Sequence, residues 1–269
     1  MADAAIATGQ EEDVLYEVAD HIATLTINRP ERMNTISGPM LDRLVDVLLQ
    51  ADRDPDVRCI VLTGRGKAFC AGLDLANAGS LGGSRASVGG SLDLRDTPPT
   101  VLHNIDTPII AAINGGAAGY GLDTALGCDM RIAAESAKLA PAFCKRGLLP
   151  ESGGTWFLPR LLGWAKASEI IFTGRTLSAQ ESLELGLVNK VVPLENLMDE
   201  AMAMAKEVAA NAPLAVAAAK RMMRMGMNET FNDHVHHVYL QLLPLMRSED
   251  LKEGMTAFME KREPVFKGK

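Results

Sequence analysis

Paired cysteines are missing from this chain. Its four cysteines, Cys59, Cys70, Cys128 and Cys144, stand far apart with no C-x-x-C spacing. That argues against a disulfide framework and offers no zinc motif, so a reducing compartment and no metal are expected. An excess of basic charge is also missing: 27 Lys+Arg stand against 34 Asp+Glu, for a net charge of −7. Without a basic stripe, non-specific nucleic-acid binding is not expected. No long apolar run is present either. The most apolar stretch, Ile109 to Leu126, is broken by Asn114, Asp123 and several glycines, unlike a membrane span. Met1 to Asp13 carries neither a basic n-region nor an apolar h-region, so no secretory signal is read there. Aromatic residues are only 4% of the 269, but 47% are apolar, ample for a buried core. The expectation is a soluble, acidic, cytoplasmic protein. Met222, Met223, Met225 and Met227 read as core filling, with a lipid or partner surface as the alternative.

The first half alternates strand and helix signals. Val14 to Val18 and Ile22 to Ile27 read as strands joined at Ala19-Asp20-His21. A helix is expected from Ser37 as N-cap with Pro39 in its first turn, on the spacing of Met40, Leu41, Leu44, Val47 and Leu48. Cys59 to Leu62, Ile109 to Ile113 and Met130 to Ala133 read as further strands, and Leu122 to Gly127 as a short helix. Ala76 to Pro99, rich in glycine and serine, reads as a long functional or disordered loop. Beyond Pro150 helices dominate: 154–162, 165–172, 179–185, 195–210, 213–225, 229–246 and 250–261, with one strand at 188–192. The order predicts an α/β core with a helical C-terminal extension.

Two glycine-bounded turns follow predicted strands: Ala68 to Leu75, and Asn114 to Asp123. Small residues there let a ligand approach the backbone, and a pair of N–H groups would form an oxyanion hole. Tight strand–helix packing is the alternative account of the same glycines. Neither turn fits a dinucleotide-binding or P-loop pattern.

The ordered set Asn28-Arg29-Pro30…Asn34, Lys67 to Leu75, Pro108 to Gly121, Cys128-Asp129, Gly153-Gly154-Thr155, Ala179…Gly186-Leu187-Val188 and Lys252-Glu253-Gly254…Phe258…Lys261-Arg262 resembles the enoyl-CoA hydratase/isomerase (crotonase) superfamily. The resemblance runs from about residue 14 to the C-terminus. It implies an α/β fold, a crotonase-like spiral of ββα units with a C-terminal helical trimerisation region. Residues 1–13 would be a flexible N-terminus, 14–194 the acyl-CoA-binding core and 195–269 the oligomerisation region of a trimer or dimer of trimers. The ligand would be an acyl-CoA thioester, with no separate cofactor because coenzyme A is part of the substrate. The two carbonyl-polarising N–H groups would fall on Leu73 and Tyr120. Contacts to CoA or substrate would fall on Arg32, Met33, Ala71, Leu73, Asp74, Leu75, Ala76, Phe143 and Trp156, with Phe258 and Lys261 reaching CoA from a neighbouring subunit.

Departures from the family pattern bear on the reaction. Hydratases of the family carry two glutamates; here the first position is Asp123, a methylene shorter, and the second is Phe143, which cannot transfer a proton. Glu151, heading Ser152-Gly153-Gly154-Thr155-Trp156, matches the acidic position of phenylacetate-pathway enoyl and epoxide isomerases. Tyr120 replaces the usual glycine. Asp123 and Glu151 are therefore expected as the proton-handling pair, or else as caps of nearby helix ends. Double-bond isomerisation of an enoyl-CoA stands first, hydration of a 2-enoyl-CoA second, thioester hydrolysis third and non-catalytic RNA binding last. Asp129 reads as a brace, His103 as a surface residue, and His234, His236 and His237 lack helical zinc spacing.

Overall fold

The computed structural model describes residues 13–74, 87–88, 91–92 and 94–269. The N-terminal segment and most of the 76–99 loop, with Leu75 and Ala76, thus lie outside the described residues. The chain opens with the antiparallel pair β1 (Val14–Ala19) and β2 (Ile22–Ile27). Asp20 and His21, the two-residue turn between them, both have positive φ, 51° and 64°, as such hairpins require. Helix α1 (Gly38–Arg53) follows, then β3 (Cys59–Gly64) and β4 (Ala68–Cys70). Two-residue strands β5 (Ser87–Val88) and β6 (Ser91–Leu92) pair with each other, ahead of α2 (Pro98–Asn104). Next come β7 (Ile109–Ile113), β8 (Gly116–Ala118), α3 (Tyr120–Gly127), β9 (Met130–Ala134) and β10 (Lys138–Ala140). Helices α4 (Gly154–Leu162) and α5 (Trp164–Thr173) lead to β11 (Leu177–Ser178), α6 (Ala179–Glu184) and β12 (Lys190–Val192). Four helices end the chain: α7 (Leu197–Ala209), α8 (Pro213–Gly226), α9 (Phe231–Leu245) and α10 (Glu249–Glu260).

Six strands form one sheet in the order β1-β2-β3-β7-β9-β12, parallel from β2 onward. Four form a second sheet, β11-β10-β8-β4. Chain order explains the pairing. Each of β3, β7 and β9 feeds the large sheet, and the short strand after it, β4, β8 or β10, feeds the small one before a helix returns the chain. That repetition is a spiral of ββα units, as the resemblance implies.

Both faces of the large sheet are buried, which is why its strands read as continuous apolar runs. Ile60, Leu62, Ile109 and Ala111 face the main core with α1, α2 and α3, while Cys59, Val61, Ile110 and Ala112 face α7. Leu197, Ala201, Ala205 and Ala209 recur every fourth residue along α7, a stripe of mostly small side chains that lets the helix lie close to the strands. Helix α8 is fastened by charge: Lys220 pairs with Asp129 at 2.8 Å, and Arg221 and Arg224 both grip Asp106. Asp129 also accepts the Ile109 N–H at 2.7 Å, the bracing role expected of it. No residue of α9 is buried.

The short strands of the small sheet and helix α2 have no counterpart in the sequence reading. Gly116 to Ala118, read as part of a turn, is a strand, and α2 occupies residues placed in or next to the loop. Two- and three-residue strands are too short to display a period of two, and α2 has only seven residues, opening with Pro98-Pro99.

Candidate active site

A cavity of about 840 Å³ opens where the two glycine-bounded turns meet. Gly72 and Leu73 come from the first turn, and Gly119 and Tyr120 from the second; all four line it. The first turn is pinned from behind. Ile36 N–H donates to Gly72 O and Asp74 N–H donates to Ile36 O, both at 2.9 Å, in an isolated parallel bridge between Ile36 and Leu73. A bridge of this kind uses the groups flanking Leu73, so the N–H of Leu73 itself points away from Ile36. Asp74, nearly buried, receives Arg29 at 2.9 Å and Arg32 at 3.4 Å, which locks the Asn28-Arg29-Pro30 segment onto the turn.

Tyr120 begins α3, so its N–H belongs to the first turn of a helix and has no intrahelical acceptor. Among the described residues neither Leu73 N–H nor Tyr120 N–H has a hydrogen-bond partner. A Cβ placed on Gly72 would lie 3.8 Å from Tyr120 N, so the two turns are in contact. Gly121 brings α3 this close to β4: a Cβ there would come within 2.1 Å of Cys70 O. At the far end of α3 the buried guanidinium of Arg131 donates to Ala125 O, Leu126 O and Cys128 O, at 3.3, 3.4 and 2.6 Å. It satisfies carbonyls that a helix end leaves open and fixes α3 along its axis.

Among the described residues two carboxylates border the cavity, Asp74 and Glu151. Asp74 is tied to arginines, whereas the exposed Glu151 side chain has a 3.3 Å contact from Ser152 Oγ. Phe143 closes another wall, its ring 3.8 Å from where a Gly119 Cβ would stand. Leu148, Leu149, Pro98 and Pro99 extend the apolar lining.

Asp123 is placed differently from the expectation. It is 1% exposed and does not border the cavity. Its Oδ2 accepts the N–H groups of Ser152, at 3.2 Å, and Gly154, at 3.1 Å, while Oδ1 has no partner among the described residues. Burial, and to a smaller degree the nearby Glu151, push its carboxyl up to about 7 against the pull of those two N–H groups. Its methylene-shorter side chain is bound to a helix end, the alternative that the sequence left open.

Arg32 and Ala71 line the cavity with Leu73 and Asp74, whereas Met33, though exposed nearby in sequence, does not. Trp156 lies off the cavity wall, packed edge-on against His103 and Phe157 with the Arg160 guanidinium 4.0 Å above its ring. Phe258 and Lys261 stand exposed at the end of α10, away from this wall. Cys70 is buried with its thiol pushed up to about 12 by burial, which suits a packing role. His234 and His237 both contact Glu229, at 3.2 and 2.9 Å. Among the described residues no helix is long and apolar enough to cross a membrane.

A model of the family described as enoyl-CoA hydratase/isomerase matches residues 17–269. The chain belongs to the enoyl-CoA hydratase/isomerase family. Among its relatives is the 1,2-epoxyphenylacetyl-CoA isomerase of Escherichia coli, 39% identical over 263 residues, covering 96% of this chain and 99% of that protein. The (E)-benzylidenesuccinyl-CoA hydratase of Thauera aromatica is also 39% identical, over 257 residues, covering 95% and 99%. The crystal structure of an enoyl-CoA hydratase from Bacillus anthracis superposes with a TM-score of 0.88 at 35% identity, covering 96% of this chain and all of that one. This enoyl-CoA hydratase/isomerase family member is thus an enzyme with a crotonase fold, and relatives at equal identity are named for different reactions.

Proposed function

We propose that this enzyme isomerises the double bond of an enoyl-CoA thioester, with Glu151 carrying the proton. The observation that carries the reading is the set of groups around one cavity. Among the described residues, two partnerless backbone N–H groups, on Leu73 and Tyr120, share it with one carboxylate free of any arginine, Glu151, and Phe143 stands where the family's second carboxylate would fall. Adding water calls for one group to activate it and another to protonate the α-carbon. Moving a double bond calls for a single group that takes a proton and returns it.

In the proposed step Glu151 removes a proton from the α-carbon of a 3-enoyl thioester. The electron pair spreads over the α- to γ-carbons and onto the thioester oxygen, giving a dienolate whose charge the Leu73 and Tyr120 N–H groups stabilise. The protonated Glu151 then delivers the same proton to the γ-carbon, so the product has the mass of the substrate. Arg32, Ala71 and Asp74 border the CoA side of the cavity. Leu75 and Ala76, which the resemblance adds to that side, lie outside the described residues. The apolar wall of Phe143, Leu148 and Leu149 receives the acyl group. The enzyme acts as a trimer or dimer of trimers, with Phe258 and Lys261 offered to a neighbour's ligand.

A panel of 2-enoyl, 3-enoyl and aromatic-ring CoA thioesters, followed by product mass, tests this. Unchanged mass with shifted ultraviolet absorbance is expected. Gain of one water would replace the reading with hydration, and release of free CoA with hydrolysis. Glu151→Gln should lower kcat by roughly 100- to 10,000-fold with KM little changed.

A further inference from the structure

We propose that Asp123 is a positioning residue that sets the place of Glu151 relative to the oxyanion hole, and that it exchanges no proton with the substrate. The proposal rests on the reading of Glu151 as the base and deepens it. The N-cap of helix α4 is Gly153, which has no side chain with which to cap the helix. The cap comes instead from another helix. Asp123 on α3 reaches across, and its Oδ2 takes the N–H of Ser152, the residue directly after Glu151, and of Gly154, the first residue of α4.

One carboxylate therefore ties together the two parts of the site. Tyr120, which lines the cavity, is on the first turn of α3 with Asp123, and Glu151 is held by its own neighbour's peptide. The Gly153-Gly154 pair fits this clasp. Gly153 has φ +112°, open to glycine, and a Cβ on Gly154 would sit 2.4 Å from Asp123 Oδ1. The carboxylate is 1% exposed, does not border the cavity, and its bonds run toward the Glu151 turn. Moving a base by about 1 Å is enough to lose on the order of 100-fold in rate, so a clasp of this kind is visible in turnover.

Asp123→Asn keeps one oxygen to accept both N–H groups; Asp123→Ala keeps none. Each is made alone and with Glu151→Gln, and kcat and KM are measured on the 3-enoyl-CoA thioester converted fastest in the panel. Hydrogen exchange at the Ser152 and Gly154 amides is followed in parallel, a readout that needs no turnover. Asp123→Asn is expected to stay within about threefold of the unaltered kcat and to keep both amides protected. Asp123→Ala is expected to lose roughly 10- to 100-fold in kcat at unchanged KM, to expose both amides, and to add nothing once Glu151 is Gln. Equal losses of 100-fold or more in the Asn and Ala variants would make Asp123 a proton carrier and overturn the proposal. An Ala effect that persists undiminished in the Glu151→Gln background would overturn it too, because Asp123 would then act independently of Glu151. If Asp123→Ala does not fold, the Asn variant decides alone by the same threefold and 100-fold marks. Full activity of Glu151→Gln overturns the assignment of the base, whereas the amide exchange still reports on the clasp.

Discussion

Tyr120 makes separate demands on its main chain and its side chain. Among the described residues its N–H, at the start of α3, has no partner, and neither does the oxygen of its buried phenol. Burial foremost, then Cys70, Glu151 and Asp123, raise the phenol well above its ordinary range, so it remains neutral wherever the enzyme works. A buried hydroxyl without a hydrogen bond is unfavourable by about 1–3 kcal/mol. Tyr120→Phe should therefore leave kcat within a few-fold and raise the melting temperature. Tyr120→Pro, which deletes the N–H, should approach the roughly 100- to 1,000-fold loss typical of an oxyanion donor. A phenylalanine variant without activity would give the phenol a chemical role. The proposed donor at residue 120 comes from the order of the motifs that carry the family resemblance; glycine spacing by itself left tight packing as an alternative. The clasp of Asp123 was not legible in the sequence, since it joins peptides 29 and 31 residues further along and depends on how α3 and α4 meet.

At the scale of elements, α3 and the small sheet decide whether the two turns face one another. Helix α1 and strands β2, β3, β7 and β9 were readable because they are long enough to show periodicity or a sustained apolar run. Strands β4, β8 and β10 have three residues each, and only their tertiary pairing reveals them. These short strands nevertheless set the approach of α3, through Gly121 against Cys70. In Gly121→Ala the new Cβ would stand 2.1 Å from Cys70 O and 2.7 Å from Cys70 Cβ, contacts that main-chain atoms cannot relieve cheaply. We expect a loss of about 1–3 kcal/mol in unfolding free energy, as for overpacked cores. Displacing α3 should also separate the Tyr120 and Leu73 N–H groups, lowering kcat more than KM. Chemical unfolding and steady-state kinetics on the same preparation check both. Unaltered stability would mean that α3 and β4 are further apart than described.

At the scale of the whole molecule, one of the C-terminal helices is left uncovered within a single chain. Helix α9 spans fifteen residues and buries none; its Tyr239, Leu240 and Leu243, and Met246 just beyond its end, are 63, 51, 55 and 59% exposed. Phe258 and Met259 at the end of α10 are 80 and 77% exposed. Large apolar side chains this accessible mark surfaces that commonly serve as interaction sites. The resemblance implies further copies of the same chain as the occupant, and we propose that the exposed Phe258 and Lys261 then reach a neighbour's ligand. Sedimentation at micromolar concentration should give a trimer or a hexamer. Leu240→Lys with Leu243→Lys should dissociate it while leaving the Leu73–Tyr120 turns and the Glu151 clasp within each subunit intact. If Phe258 and Lys261 complete a neighbour's site, the dissociated variant should show a raised KM for the CoA thioester at nearly unchanged kcat. A stable monomer for the unaltered chain would remove both the assembly and the shared site. A dissociated variant with unaltered KM would leave the assembly and remove the sharing.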